Sequence, residues 1–321
     1  METLLLFGAL ALALGTFIPE TGNDFWLIRG QDYFKSFYAV LNLVLIIFLL
    51  FSDHFGWKTY AAIVLAVISF FFCLLSIMPF LGLAKITVKA TEEKINKNTL
   101  SIYVSNVYQE NREYDRSIAK VKELDPDLLF FLETDHGWDQ ALSTISLAYP
   151  YVLKEVKDDT YGLILMSKFP FDEGEIIHRV KGDIPSVEVS FKMGKLPVKL
   201  YGLHPKPPVP GEALTAKKKD REILKTALAI HSSELEHHLV IGDLNDVAWS
   251  GVTRKFKRLT GMKDPRQGRG FYPTFPTWSP FRIPLDHVFC SPAFELVEFK
   301  RVESVGSDHF PVFVKFYLPQ S

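Results

Sequence analysis

Apolar and polar positions divide the chain into two unlike parts near residue 90. In the first, apolar residues run on with no period. Tyr60 to Ala84 carries no charge over roughly 25 residues, enough at 1.5 Å per residue to cross a bilayer core about 30 Å thick. Phe34 to Phe51 is interrupted only by Lys35, which can snorkel from the end of a span. Leu4 to Ile18 is shorter, but Met1-Glu2-Thr3 lacks the basic start of a signal peptide, so it reads as a third, short span. Phe25, Trp26, Tyr33, Phe34 and Trp57 sit near the proposed ends, as amphipathic rings do at headgroup depth. Residues 1–84 are therefore expected to form a transmembrane region of three helices, rather than a buried hairpin of a soluble protein.

Residues 85–99 mix Lys, Glu, Thr and Asn with scattered apolar residues and read as a short juxtamembrane linker. From Leu100 to residue 321 the pattern becomes short strand-like runs, helical stretches and Pro or Gly punctuation. Strands are expected at Leu100–Val107, Leu128–Leu132, Gly162–Ser167, His238–Gly242, Leu285–Cys290 and Val312–Tyr317, with a hairpin of Val187–Phe191 and Val198–Leu203 turning at Met193-Gly194-Lys195. Ile118, Val121 and Leu124 have helical spacing within Tyr114–Leu124, and further helices are expected at Trp138–Leu147, Ala213–Leu235 and Trp249–Leu259. That pattern predicts an α/β domain with largely antiparallel sheets.

Charge adds little to this picture. Of 36 basic and 37 acidic residues, five of each precede residue 91, and the net charge of −1 gives no global attraction for a polyanion. Arg254, Lys255, Lys257 and Arg258, then Lys263, Arg266 and Arg269, form a local basic patch that could hold phosphate. Lys217-Lys218-Lys219 reads as a solvated helix face, with a headgroup patch as the alternative. Cys73 and Cys290 suggest neither a disulfide framework nor a zinc site. If the N-terminus is outside, Arg29, Lys35, Lys85, Lys89, Lys94 and Lys97 fall inside with only Lys58 outside, so the count leans to a cytoplasmic C-terminal domain of a multi-pass membrane protein.

The candidate chemistry lies where strands end. Polar groups follow apolar runs at Asn106, Glu133, His204, and Asp243 with Asn245, and Gly306-Ser307-Asp308-His309-Phe310-Pro311 precedes the last strand. Groups placed repeatedly at strand ends are expected where one rim of a sheet carries a site. Ser105-Asn106, Leu132-Glu133, Gly202-Leu203-His204, Ile241-Gly242-Asp243-Leu244-Asn245, Pro284-Leu285-Asp286-His287 and the Ser-Asp-His block resemble, in order and spacing, the endonuclease/exonuclease/phosphatase family over about residues 100 to 318. The N-terminal helices look like those of its membrane-anchored bacterial members.

The resemblance implies a four-layer sandwich, two packed mainly antiparallel β-sheets flanked by helices, and metal-dependent hydrolysis of a phosphate ester. Glu133 would be the main ligand of Mg²⁺, or of Mn²⁺ in its place, with Asn106 and Asp308 completing the metal site. His309 would act as base or as cationic partner of the phosphate, with Asp286 fixing its tautomer. Asp243 would orient or deprotonate water, and Asn245 and His204 would donate to phosphoryl oxygens. Asp243 and His309 both stay open as the base. The remaining histidines, His287 and the His237-His238 pair among them, receive no role. Besides the lipid bilayer, the implied partner is a phosphate-ester substrate, a lipid headgroup or a nucleic acid, and no protein partner is inferred. A membrane-tethered nuclease and a non-catalytic phosphate-binding module are the competing readings.

Overall fold

The computed structural model describes residues 1–52, 56–92, 96–180 and 184–320. Its first part is α1 (Glu2–Phe17), α2 (Trp26–Arg29), α3 (Lys35–Leu50) and α4 (Trp57–Ile77). Three stretches, Glu2–Thr21, Trp26–Leu50 and Trp57–Phe80, are long and apolar enough to cross a membrane. At one end of the bundle Lys58 Nζ donates to Thr3 Oγ1 (2.8 Å). At the other, Lys35 Nζ pairs with Glu20 (2.7 Å) and Asp32 (2.8 Å). Both ions of such a pair must be compensated once they leave water, and three charges sharing one site meet that need.

The second part contains, among the described residues, β1 (Thr99–Asn106), α5 (Tyr114–Leu124), β2 (Leu128–Leu132), α6 (His136–Leu142), β3 (Tyr151–Glu155), β4 (Leu163–Ser167), β5 (Glu173–Ile177), β6 (Ser186–Met193), β7 (Leu196–Leu203), α7 (Lys217–His231), β8 (His237–Asp243), α8 (Gly251–Thr260), β9 (Asp286–Cys290), β10 (Glu295–Arg301) and β11 (Val312–Tyr317). They make two sheets, ordered β10-β11-β1-β2-β4-β3 and β5-β6-β7-β8-β9. Alternation of side chains along each strand builds the layers. Ile102 and Val104 of β1 face Leu239 and Ile241 of β8 in the core between the sheets. Tyr103 points outward under α5 and α6, and Val240 points outward under α7 and α8. This is the expected four-layer sandwich. The expected hairpin is β6–β7, with Gly194 at φ 62 in its two-residue turn. Strands β3, β5 and β10 lack a strong apolar signal and were not anticipated, because each lies at or near a sheet edge with one side in water.

Most pairings are antiparallel, but each sheet holds one parallel pair, β1 with β2 and β7 with β8. Parallel strands end at the same rim. The antiparallel neighbours β9 and β11 start there, so the segments just before them arrive at that rim as well.

The helical part is docked on this rim rather than tethered at a distance. Phe25 and Thr215 form an antiparallel bridge, flanked by Trp26 N–H donating to Leu214 O (2.9 Å) and Ala216 N–H to Asp24 O (2.7 Å). Trp249 Nε1 donates to Asp32 O (2.7 Å), and its ring packs with Ala39, Cys73, Ile77 and Phe80. Arg29 reaches Asp220 (3.4 Å) and Asp246 (3.8 Å). The connector is held too: Ala90 bridges Leu296, and Arg269 Nη2 donates to Val88 O (2.6 Å). Residues 93–95 of the expected linker lie outside the described residues. Lys219 is buried against Asp246 (2.9 Å), so one lysine of the 217–219 run is an internal counter-ion and not part of a solvated face.

Glu222 on α7 is buried and accepts a hydrogen bond from Ser186 Oγ (2.8 Å). Burial pushes its carboxyl from 4.5 up to about 7. Between those values the folded chain holds a proton that the unfolded chain has released, so stability falls as pH rises through that window. Glu222→Gln is expected to flatten the pH dependence of the melting temperature from pH 5 to 8 and to stabilise the full chain at pH 8 by about 3 kcal/mol. Melting in detergent across that range checks it, and an unchanged slope would remove Glu222 as the source.

Candidate active site

Asn106 closes β1 and is buried. Its Nδ2 donates to Glu133 Oε1 (2.7 Å) and Asp243 Oδ2 (3.2 Å), and its Oδ1 accepts from Tyr108 N–H (3.0 Å). One amide thereby links the ends of a strand in each sheet. Glu133 follows β2 with φ 60, a left-handed turn that sets its carboxylate beside Asn106 instead of continuing the strand. Burial is the main influence raising its carboxyl above the ordinary value. The Asn106 bond and the His309 charge oppose the rise, and the Asp308 charge adds to it.

Asp243 closes β8, and Gly242 before it is what lets the strand reach this position. Gly242 has φ 134, and a Cβ there would lie 2.0 Å from Leu203 O on the parallel neighbour. Asp243 Oδ1 accepts from Asn245 N–H (2.8 Å). Its Oδ2 lies 3.6 Å from His309 Nε2 and 3.9 Å from His204 Nε2. Burial pushes this carboxyl up to about 6, opposed by the His309 charge and reinforced by Asp286.

Asp286 opens β9 directly opposite Asp243 in register, and its Oδ2 pairs with His309 Nδ1 (2.8 Å). Burial would raise the Asp286 carboxyl, but the His309 charge and hydrogen bond outweigh it and hold the group below its ordinary value. For His309 the signs reverse. Burial disfavours the imidazolium, yet Asp286 and Asp243 on either side lift the ring to about 10. His204, also buried, is lowered by burial despite Asp243, which makes it neutral. Among the described residues its Nδ1 has no hydrogen-bond partner.

All eight residues singled out from the sequence lie at this rim. Asn106, Glu133, His204, Asp243, Asp286 and His309 form a connected network, and Glu133, His204, Asp243, Asn245, Asp308 and His309 line one cleft of about 510 Å³. Ligand atoms of Asp243, Asp286 and His309 fall within 4.8 Å of one another. Within the trio the His309 ring lies between the two carboxylates, Nδ1 towards Asp286 and Nε2 towards Asp243. Part of the expected basic patch is spent elsewhere. Arg254 pairs with Glu20 (2.8 Å), and Arg266 is buried on Asp264 (2.7 Å) and against His287 Nδ1 (2.7 Å). His287 is buried in this contact.

The cleft also holds groups that the sequence did not offer. Tyr161 packs its ring 5.6 Å from that of His204, and Tyr33, from the helical part, donates its hydroxyl to Asn245 O (2.7 Å), an oxygen that also accepts from Lys219 Nζ (3.3 Å). Tyr33, Phe34 and Phe37 line the same cleft. Their aromatic character near a span end was visible, but that reads equally as a headgroup belt.

Asp286→Asn keeps the shape of the Asp286–His309 contact and removes its charge. The proton affinity of His309 is expected to fall roughly a hundredfold or more. Imidazole NMR of the full chain checks this: the wild-type ring should stay protonated past pH 8, and the variant ring should titrate lower.

No curated protein matches the sequence at a significant level. The fold has solved counterparts. Danio rerio TDP2 complexed with a single-strand DNA product is 18% identical, covers 68% of this chain and 98% of its own, and gives a TM-score of 0.57. An endonuclease/exonuclease/phosphatase from Bacteroides vulgatus is 15% identical, covers 69% and 99%, and gives 0.55. Truncated Caenorhabditis elegans TDP2 is 17% identical, covers 70% and 100%, and gives 0.53. The family model for the endonuclease/exonuclease/phosphatase family matches residues 104–309, from the strand that ends in Asn106 to His309 itself, and the chain belongs to that family.

Proposed function

We propose that the protein is a membrane-anchored hydrolase of phosphate esters, dependent on Mg²⁺ or Mn²⁺. The observation that carries the reading is the buried array of Asp286, His309 and Asp243, with His309 Nδ1 2.8 Å from one carboxylate and Nε2 3.6 Å from the other, a setting that favours the charged imidazole. A charged His309 has no lone pair to accept a proton, so Asp243 is the base towards water and His309 the cationic partner of the phosphate. Asp286 holds the imidazolium. Neutral His204 and the Asn245 amide donate to phosphoryl oxygens as charge moves onto them.

The residues fit a hard cation. Glu133 and Asp308 face the same cleft, and the Asp308 charge disfavours ionised Glu133, a repulsion that a divalent ion would relieve. Glu133, with Asn106 and Asp308 in support, would hold it through oxygen donors, the ligand type of Mg²⁺ and Mn²⁺. When bound, the ion would neutralise charge on the phosphate and leaving oxygen.

A nuclease is the second reading, favoured by the DNA product in the Danio rerio neighbour. Against it stand the net charge of −1 and the use of Arg254 and Arg266 in ion pairs, which takes two of the seven basic groups of that patch. Arg29 and Lys35 lie at the domain end of the helices and Lys58 at the other, which supports a catalytic domain on the cytoplasmic side.

With aryl phosphomonoesters and phosphodiesters as substrates, the full chain is expected to turn over with Mg²⁺ and to stop in chelator. His309→Ala and Asp243→Ala should each lose about a hundredfold or more while still folded. Wild-type rates in either variant would remove that residue from the mechanism. Nuclease action would show instead as a steep salt dependence of oligonucleotide binding. For the topology, a C-terminal reporter that fluoresces only in the cytoplasm should be bright, and a dark one would put the domain on the other face.

A further inference from the structure

The cleft has two unlike walls. One carries the carboxylates and histidines at the strand ends. The other is apolar and comes from three separate parts of the chain: Phe34 and Phe37 at the start of α3, Val209 of the 204–216 loop, and Phe281 with Ile283 of the loop before β9. Phe37 and Phe281 meet edge to face at 5.6 Å. Small polar phosphate esters have no use for such a wall. An apolar surface left open beside a charged site is costly unless something apolar covers it.

The wall does not stop at the cleft mouth. Phe37 lies in the first turn of α3, and Val40, Leu41 and Val44, three, four and seven residues on, share its face and are exposed. That face belongs to a stretch long and apolar enough to span a membrane. A continuous apolar track therefore runs from the Glu133–His309 region to the surface that would contact lipid chains. Phe281, 68% exposed, stands beside this track on the catalytic part.

We propose, resting on the phosphoesterase reading above, that the substrate is an amphiphile: a phosphate ester of the lipid surface whose hydrocarbon chain lies along Phe34, Phe37, Val209 and Phe281 while its phosphate faces Asp243 and His309. The substrate enters sideways from the bilayer and does not leave the interface. Water attacks phosphorus, the ester oxygen leaves with a proton, and a phosphate product and an alcohol result, so no further reactant is needed. The helices then form half of the binding site and are more than an anchor. The tight docking of residues 24–35 on the domain fits this, since a wall shared by two parts of the chain must be held in register.

The test uses the full chain in nanodiscs and a series of p-nitrophenyl phosphodiesters whose second alcohol is methyl, butyl or octyl. Each buried methylene can improve kcat/KM by up to about fourfold, so the octyl-to-methyl ratio should exceed tenfold in the wild type. Phe281→Ser and Phe34→Ser, both at exposed side chains, should each cut that ratio at least threefold. The ratio within each variant is the readout, so any loss common to both esters cancels. A flat series overturns the proposal and leaves the phosphoesterase reading standing. So does a ratio that both variants leave untouched, which would reflect only partitioning into the bilayer. Cleavage of a single-stranded oligonucleotide with a flat alkyl series would assign the cleft to nucleic acid. Absence of turnover on every ester would overturn the phosphoesterase reading, and this proposal with it.

Discussion

Two carboxylates, Asp243 and Asp286, are buried at the rim of the sandwich, and neither could stay ionised there without a cation between them. His309 is that cation. Its Nδ1 meets Asp286 at 2.8 Å and its Nε2 faces Asp243 at 3.6 Å. The arrangement demands that the end of β8, the start of β9 and the loop before β11 come to one point. The sheet order delivers this, because β8 and β9 are antiparallel neighbours, and β1, which faces β8 across the core, has β11 beside it. Charge compensation and topology thus require each other. A register slip in either sheet would strand a buried charge, which costs several kcal/mol.

The same logic governs the junction with the helices. Asp246 is buried three residues after Asp243 and is held below its ordinary value, burial being outweighed by Lys219 and Arg29. One counter-ion is supplied by α7 and the other by the N-terminal region. Between them sits the Asn245 carbonyl, which accepts from Tyr33 and Lys219. Asn245 itself has φ 47, a conformation Asn tolerates better than most residues, and its Nδ2 donates to Pro205 O (3.0 Å). The residue proposed to meet the phosphate is therefore fixed from three directions, one of them the Trp26–Leu50 stretch, which is long and apolar enough to cross a membrane. In the proposed reaction, such fixing keeps a hydrogen-bond donor aimed where charge develops, with no reorganisation at that moment.

Much of this was legible in the sequence because it is local. A strand buried on both faces, such as Leu128–Leu132, announces itself as an apolar run, and the residue that follows it, Glu133, is fixed by chain continuity. Helix α5 ends at Leu124, the bound expected from its helical spacing, where Asp125 turns left-handed ahead of Pro126. All eight site residues could be named because each lies at such an end. The edge strands β3, β5 and β10 could not, since their half-exposed faces carry no such pattern.

What the sequence determined on its own was periodicity, punctuation and the residue types at strand ends, which follow from backbone geometry within a few residues. Only the tertiary structure decided the charge states, because these depend on groups far apart in the chain. His309 is charged through Asp286 and Asp243, and Lys219 is an internal counter-ion through Asp246. The same holds for the cleft: Phe34 and Phe37 are ordinary membrane-interface aromatics by sequence. They became a wall of the site only when residues 24–35 docked beside the strand ends, a contact between segments some two hundred residues apart that no local pattern encodes.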